Sequence, residues 1–454
     1  MTINFYNKTG NEDLYLFFNY ADDSKTSGVK GFSNLTYLQP WAVAAKGKDK
    51  PLALTDAYTC SFDTLNSGTF WYIVTNKTGA ETIKANPGTA MGSEDPNWVG
   101  GFFELTYLSA DPVTYFDVTN VDQVGLLCGV DFLDSSGTKT GHCGYGETAN
   151  DLITGLETAC DLSATTKAKK TITGTGANKD TYTTLWGPTV PVVSSEYNAA
   201  YNSYITAIKK NKTKMTINSD STKSAVVTHG GTQLDSFKFT GYFGQPKSMP
   251  TGSPIDASKV VLWFESTDCV KANETTYIFF TEDAINGGTI MSGSSAGGMY
   301  VYPAYEYTDP TSKTPAKIIK GGWANNVSLN WTATGADAVK NTTCFQAMIS
   351  SVGRDVITAM NLGYIGVTAA KVDFTYKDES TYATAATQKK YINRWNEYIT
   401  ENSDSYGMAY SDGTHAKVQF HPASDGSINC YVFGQADATT DTYWSKYKPK
   451  KKNS

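Results

Sequence analysis

Two acidic side chains set among apolar neighbours are the residues of this sequence best placed to do chemistry. Glu104 follows two phenylalanines in Phe102-Phe103-Glu104-Leu105-Thr106-Tyr107. Asp122 stands among valines in Val118-Thr119-Asn120-Val121-Asp122-Gln123-Val124-Gly125-Leu126. Both stretches are rich in aromatic and β-branched residues and read as β-strands. A carboxylate on a half-buried strand loses hydration that something must replace. Two of them on adjacent strands facing one cleft make the pair that hydrolyses a glycosidic bond, one carboxyl protonating the leaving oxygen and the other activating water. The alternation of a strand equally allows one or both to point outward. Thr106, two residues beyond Glu104, shares its strand face.

Other chemistry-bearing residues are less well supported. Gly293-Ser294-Ser295-Ala296-Gly297 has the spacing of a hydrolase nucleophile elbow. That elbow must be followed by a helix, whereas Tyr300-Val301-Tyr302-Pro303 reads as a strand, so a turn between strands is expected. No phosphate-cradling Gly-Lys-Thr/Ser follows it. His142, His229, His415 and His421 have no ligand-like spacing. The seven cysteines include no CxxC pair, and of possible disulfides only Cys143–Cys160 stands out, beside the alternative of free buried thiols. Trp41, Trp98, Trp323 and Trp331 suit packing as well as sugar stacking.

The elements that must position the two acids are short strands up to about residue 160, among them Tyr15–Tyr20, Thr69–Val74 and Phe102–Tyr107, bounded by Gly, Asn, Asp and Ser. Their spacing predicts a sandwich or barrel. Ala149 to Leu162 reads as a helix, and Ala164 to Asp180 as a loop or exposed hairpin. From about Trp186 the pattern changes. Apolar stripes predict helices over Tyr197–Ile208, Thr343–Leu362 and Lys389–Glu401, with strands at Phe237–Phe243, Val260–Phe264, Thr276–Phe280 and Met299–Tyr307. An α+β region therefore follows a β region.

Composition narrows the partners. Charged residues make up 18% and aromatics 13%, with 29 tyrosines. The net charge of −6 and the pI of about 5.4 disfavour nucleic acid, whose binding depends on neutralising phosphates, and suit an uncharged polymer. The basic stretch Lys446 to Lys452 reads as a solvated tail. No run of about 18 apolar residues is present, so no membrane span is expected. Met1 to Tyr6 lacks both a charged and an apolar leader region, which leaves the compartment undetermined. Oligomeric state is not legible.

The segment around the two acids resembles the catalytic segment of glycoside hydrolase family 64, the laminaripentaose-producing β-1,3-glucanases of thaumatin-like fold. Phe103-Glu104-Leu105-Thr106-Tyr107 is similar to the family's aromatic-Glu-aromatic-Thr strand, and Val121-Asp122-Gln123-Val124-Gly125-Leu126-Leu127 to its Val-Asp-Phe-Val-Gly-Leu-Pro. Ile3-Asn4-Phe5-Tyr6-Asn7, Tyr197 to Ile208, Phe239 to Pro246, Arg354 and Asp404 to Asp412 resemble further family segments in the same order. Three departures stand out. Ser411 replaces the first acid of an Asp-Asp pair, Leu127 replaces a proline, and the Glu104-to-Asp122 spacing is longer than the family's, which keeps Asp117 as a second choice. The resemblance implies a thaumatin-like β-sandwich or barrel over residues 1–183 and a mixed α/β domain over 184–420. Strands in 421–454 return to the first domain, and a wide groove runs between the two. It also implies an inverting hydrolase of β-1,3-glucan with Glu104 as general acid and Asp122 as general base. Thr106, Tyr107, Tyr410 and Asp412 would hold substrate, and no metal or organic cofactor is implied. Secretion is the family's habit. Two other readings remain open at this point: a glucan-binding protein without turnover, and a structural or self-assembling protein that keeps the fold.

Overall fold

In the computed structural model the described residues are 1–9, 14–19, 26–31, 41–42, 58–75, 79, 82, 97–108, 114–173, 181–190, 192–197, 206, 214–220, 227–229, 232–234, 236–249, 256–267, 275–282, 299–302, 307–308, 315–316, 319–321, 373–375, 393–408 and 420–436. The chain divides into two compact units. The first holds Met1–Glu196, Arg394–Met408 and His415–Ser454, and the second holds Tyr197–Asn393 and Ala409–Thr414. The first division thus falls later than residue 183, and the chain rejoins the first unit at Arg394, well before 421.

The first unit is built from β1 (Thr2–Lys8), β2 (Leu14–Asn19), β3 (Trp41–Ala42), β4 (Tyr58–Ser61), β5 (Leu65–Thr75), β6 (Trp98–Tyr107), β7 (Tyr115–Thr119), β8 (Gln123–Val124), β9 (Leu127–Leu133), β10 (Lys139–Cys143), β11 (Lys169–Thr173), β12 (Thr181–Trp186) and β13 (Ser427–Phe433). One five-stranded sheet runs β10-β9-β13-β1-β4, a second β3-β2-β5-β6-β7, and a three-stranded sheet β11-β12-β8. Strand β13 lies parallel to β1 and antiparallel to β9, in the middle of its sheet. The region expected as loop or hairpin is a hairpin, β11 pairing with β12.

The two five-stranded sheets are layered face to face. Phe5 of the first sheet lies 6.0 Å from Phe70 and 5.9 Å from Phe103 of the second, and Phe132 lies 5.1 Å from Phe116. Phe70 and Phe103 stack at 4.9 Å within the second sheet. These rings come from alternate positions of their strands, as a two-layer core requires. Among the described residues no sheet closes on itself, so the unit is layered and not a barrel. The inner face of the first sheet also buries Cys60, Cys128, Cys143 and Cys430 as free thiols, and Cys160 is free as well.

Helix α1 (Ala149–Ala159) starts at Thr148, whose hydroxyl accepts from the Asp151 amide, and buries Ala149, Leu152, Ile153 and Leu156. Helix α2 (Arg394–Asn402) buries Trp395, Asn396 and Ile399 and lies against α1. At Gly155 the Tyr398 ring and hydroxyl fill the space a Cβ would take, so any larger residue there displaces that side chain.

In the second unit a seven-stranded sheet has the order Ile319–Gly321, Met299–Tyr302, Thr275–Thr281, Val260–Thr267, Ser236–Phe243, Lys214–Asp220, Asp373–Thr375. Val260 and Phe279 are fully buried in it. The expected helix over 343–362 lies outside the described residues, as does all of 197–208 except Tyr197 and Thr206.

Candidate active site

Along β6 the odd positions face the core: Val99, Phe103 and Leu105 are essentially inaccessible. The pleat therefore turns Trp98, Phe102, Glu104 and Thr106 to the other face. Strand β7 pairs with β6 so that Asp117 stands directly opposite Glu104, Thr119 opposite Phe102, and Tyr115 opposite Thr106. Residues directly opposite in an antiparallel pair share a face, with Cβ atoms about 4.5–5.5 Å apart. Glu104 is half-buried and Asp117 is 8% exposed. On the other side of β6, Thr69 of β5 lies opposite Glu104 and Trp71 opposite Phe102. The Trp71 and Phe102 rings stack at 4.1 Å, and the half-buried Trp71 leaves an apolar surface beside Glu104.

The two carboxyls are joined by a third group. The Tyr406 hydroxyl lies 3.4 Å from Glu104 Oε2 and 3.3 Å from Asp117 Oδ1. Tyr406 follows α2 on a segment fastened to the end of β7. The Asn120 amide donates to the Tyr406 carbonyl at 2.8 Å, and the Ser405 hydroxyl sits 2.7 Å from both the Val118 carbonyl and Asn120 Oδ1. The Tyr145 hydroxyl donates to the same Asn120 oxygen at 2.6 Å, and Trp395 Nε1 donates to the Asn120 carbonyl at 2.7 Å. The Gly407 amide donates to Asn396 Oδ1 at 3.0 Å. Backbone and side chains on both sides of Tyr406 are thus held before any substrate arrives.

Asp122 is placed differently from expectation. It is not on a strand beside Glu104: β7 ends at Thr119, and Asp122 lies in the bend before β8. The Thr189 hydroxyl donates to its Oδ1 at 2.6 Å, and the Gly187 amide donates to its carbonyl at 2.7 Å. Although the residue as a whole is half-exposed, its carboxyl is packed inside. Burial pushes its pKa up from 3.8, and the Thr189 hydrogen bond pulls the other way. Thr106 shares the Glu104 face, but its hydroxyl accepts from the Ser67 amide at 3.1 Å. It thereby fixes the bulge of β5 where Ser67 takes a φ of 48°. The pleat turns Tyr107 to the face opposite Glu104.

Tyr410, Ser411 and Asp412 lie outside the described residues, as do Gly293–Gly297, His415, Trp323 and Trp331. His142 Nδ1 lies 2.9 Å from Asp131, and His421 Nδ1 lies 3.0 Å from the Thr114 carbonyl. Trp98 is packed edge-on between Trp71 and Trp186. Among the described residues no group of three or more His, Cys, Asp or Glu is arranged to hold a metal ion. No helix among them is long and apolar enough to cross a membrane. A hollow of about 430 Å³ lined by Asp151, Thr154, Gly155, Thr158, Ala159 and Tyr398 lies on the surface of the two helices, not at the carboxyls.

No protein-family model matches the chain, and no curated protein sequence matches it. Solved structures do. One is a β-1,3-glucanase domain (GH64) from Clostridium beijerinckii, with 12% identity and a TM-score of 0.44 over 95% of this chain and 98% of that one. Another is a laminaripentaose-producing β-1,3-glucanase in complex with laminaritetraose, with 10% identity and a TM-score of 0.49 over 96% and 99%. A third is the GH family 64 laminaripentaose-producing β-1,3-glucanase from Paenibacillus barengoltzii, with 11% identity and a TM-score of 0.35 over 95% of this chain and 74% of that one.

Proposed function

We propose that this chain hydrolyses β-1,3-glucan on a thaumatin-like β-sandwich, with Glu104 as general acid and Asp117, in place of Asp122, as general base. The observation that carries this reading is the register of β6 and β7, which sets two carboxyls directly opposite each other on one face. The resemblance of residues 102–126 to glycoside hydrolase family 64 supplies the polymer. An uncharged glucan is recognised through its hydroxyls and through the apolar faces of its rings, and the Trp71–Phe102 stack offers an apolar surface two residues along the strand from Glu104. Glu104, the more exposed carboxyl, protonates the leaving glycosidic oxygen. Asp117, deeper and flanked by a phenol, takes a proton from water, and that water attacks the anomeric carbon from the opposite side. Inversion is what the resemblance to family 64 implies for this reaction. Two oxygens 3.4 and 3.3 Å from one hydroxyl stand at or below the short limit of the roughly 6.5–9.5 Å separation of inverting pairs, so the two carboxyls must part further to admit the water. Tyr410 and Asp412 keep the sugar-binding role that the resemblance implies for them.

The test is release of reducing ends from laminarin by the wild type and by Glu104→Gln. The amide keeps the shape but has no proton to give, so turnover should fall on the order of 10²–10⁴-fold. Retention on insoluble β-1,3-glucan should change by no more than a few-fold. Equal turnover in the two proteins would remove Glu104 from the reaction.

A further inference from the structure

We infer that Tyr406 is a positioning residue that sets the protonation of the Glu104–Asp117 pair; this rests on the hydrolytic reading for its catalytic consequence but not for its physical content. The hydroxyl is 3.4 Å from one carboxyl and 3.3 Å from the other. Full-strength O–H···O bonds lie near 2.7–2.8 Å, so the phenol is centred between two acceptors and committed to neither. It has one proton to donate, and when one carboxyl loses its own, that carboxylate is the better acceptor and receives the phenol's. Donation to the ionised form favours it and lowers its pKa, which separates the first ionisation of the pair from the second. A pair that must act as one acid and one base at the same pH needs that separation. The position is not an accident of a loose loop, because Asn120, Val118 and Asn396 hold Ser405, Tyr406 and Gly407 through backbone and side-chain bonds. Nor is the ring free to leave, since Tyr406 is only 6% exposed.

Other titratable groups surround the pair. Tyr115 is on the same face of β7, with the His421 ring edge-on to it at 5.2 Å. Asp404 Oδ2 accepts from the Gly144 amide at 3.1 Å, next to Cys143. Burial pushes the Cys143 thiol up, and the charges of Asp404 and Asp117 add to it. Tyr406→Phe removes none of these groups, so both proteins titrate with the same set present.

The experiment is carbon-13 NMR titration of labelled Asp and Glu carboxyls in the wild type and in Tyr406→Phe, which keeps the ring. The lower of the two site titrations should rise by about one pH unit in the variant, the scale of a hydrogen bond to a charged group. A protein carrying 3-fluorotyrosine at 406, a stronger donor, should move the same titration down. In the laminarin assay the acid limb of kcat/KM should move to higher pH with Tyr406→Phe. Unchanged carboxyl titrations in both variants would overturn the inference, whatever the activity. Absence of laminarin hydrolysis in the wild type would overturn the proposed function and leave the titration to decide the role of Tyr406.

Discussion

Asp122 keeps its carboxyl packed away from water, and the pH dependence that follows has a definite sign. Burial raises its pKa in the folded protein above the ordinary 3.8, with Thr189 opposing only part of that effect. The protonated form is therefore the one the fold prefers, and the group's contribution to stability declines as pH rises from about 3.8 through the folded value. Asp122→Asn lacks the buried charge. Its stability relative to the wild type, read from urea midpoints, should improve as pH rises from 4 to 7, and its glucan hydrolysis should persist. Asp117→Asn should behave in the opposite way, losing hydrolysis by about 10²-fold or more while still binding glucan. Proton NMR of the first-formed product should show the inverted anomer. The strand position of Glu104 was legible from its apolar and aromatic setting. Asp117 was not preferred over Asp122 because a single sequence shows which residues sit on strands but not which positions face each other. Tyr406 lies in the Asp404–Asp412 segment that resembles the family, but its place beside Glu104 was not legible, since it reaches that residue across 302 positions of sequence.

The strands themselves were legible where β-branched and aromatic runs were long. Strands β2, β5 and β6 lie on the runs at Tyr15–Tyr20, Thr69–Val74 and Phe102–Tyr107, and α1 and α2 lie on the predicted stripes. What the pattern missed was the bend at 120–122, where Asn120 caps the end of β7 by donating to the Gln123 carbonyl. Two predictions belong at this scale. Trp71→Ala should raise KM for laminarin about fivefold, the size of a ~1 kcal/mol stacking contact, with kcat little changed. Phe103→Ala, which removes a ring stacked on both Phe70 and Phe5, should cost roughly 3–5 kcal/mol in equilibrium unfolding. The thiols add a chemical probe of the same core. Burial pushes Cys128 up to about 12 and Cys60, Cys143 and Cys430 well above 9.0, so these four should resist alkylation until the unit unfolds.

At the scale of the molecule, the sandwich is assembled from early and late segments of the sequence, with most of the second unit inserted between Glu196 and Arg394. Strand β13 fills the place between β1 and β9, and Asn4 meets Asn429 across 425 positions. During synthesis the ribosome delivers β1 roughly 20–90 s before β13 at ordinary translation rates. Once β9 is made, it and β1 each present an unpaired backbone edge until β13 arrives, backed by apolar residues such as Ile3, Phe5, Val130 and Phe132. Open edges of that kind pair with whatever strand is near. A nascent chain of this design depends on a chaperone or on dilution to reach its last strand unspent, and a chain stopped at residue 426 should collect in the insoluble fraction.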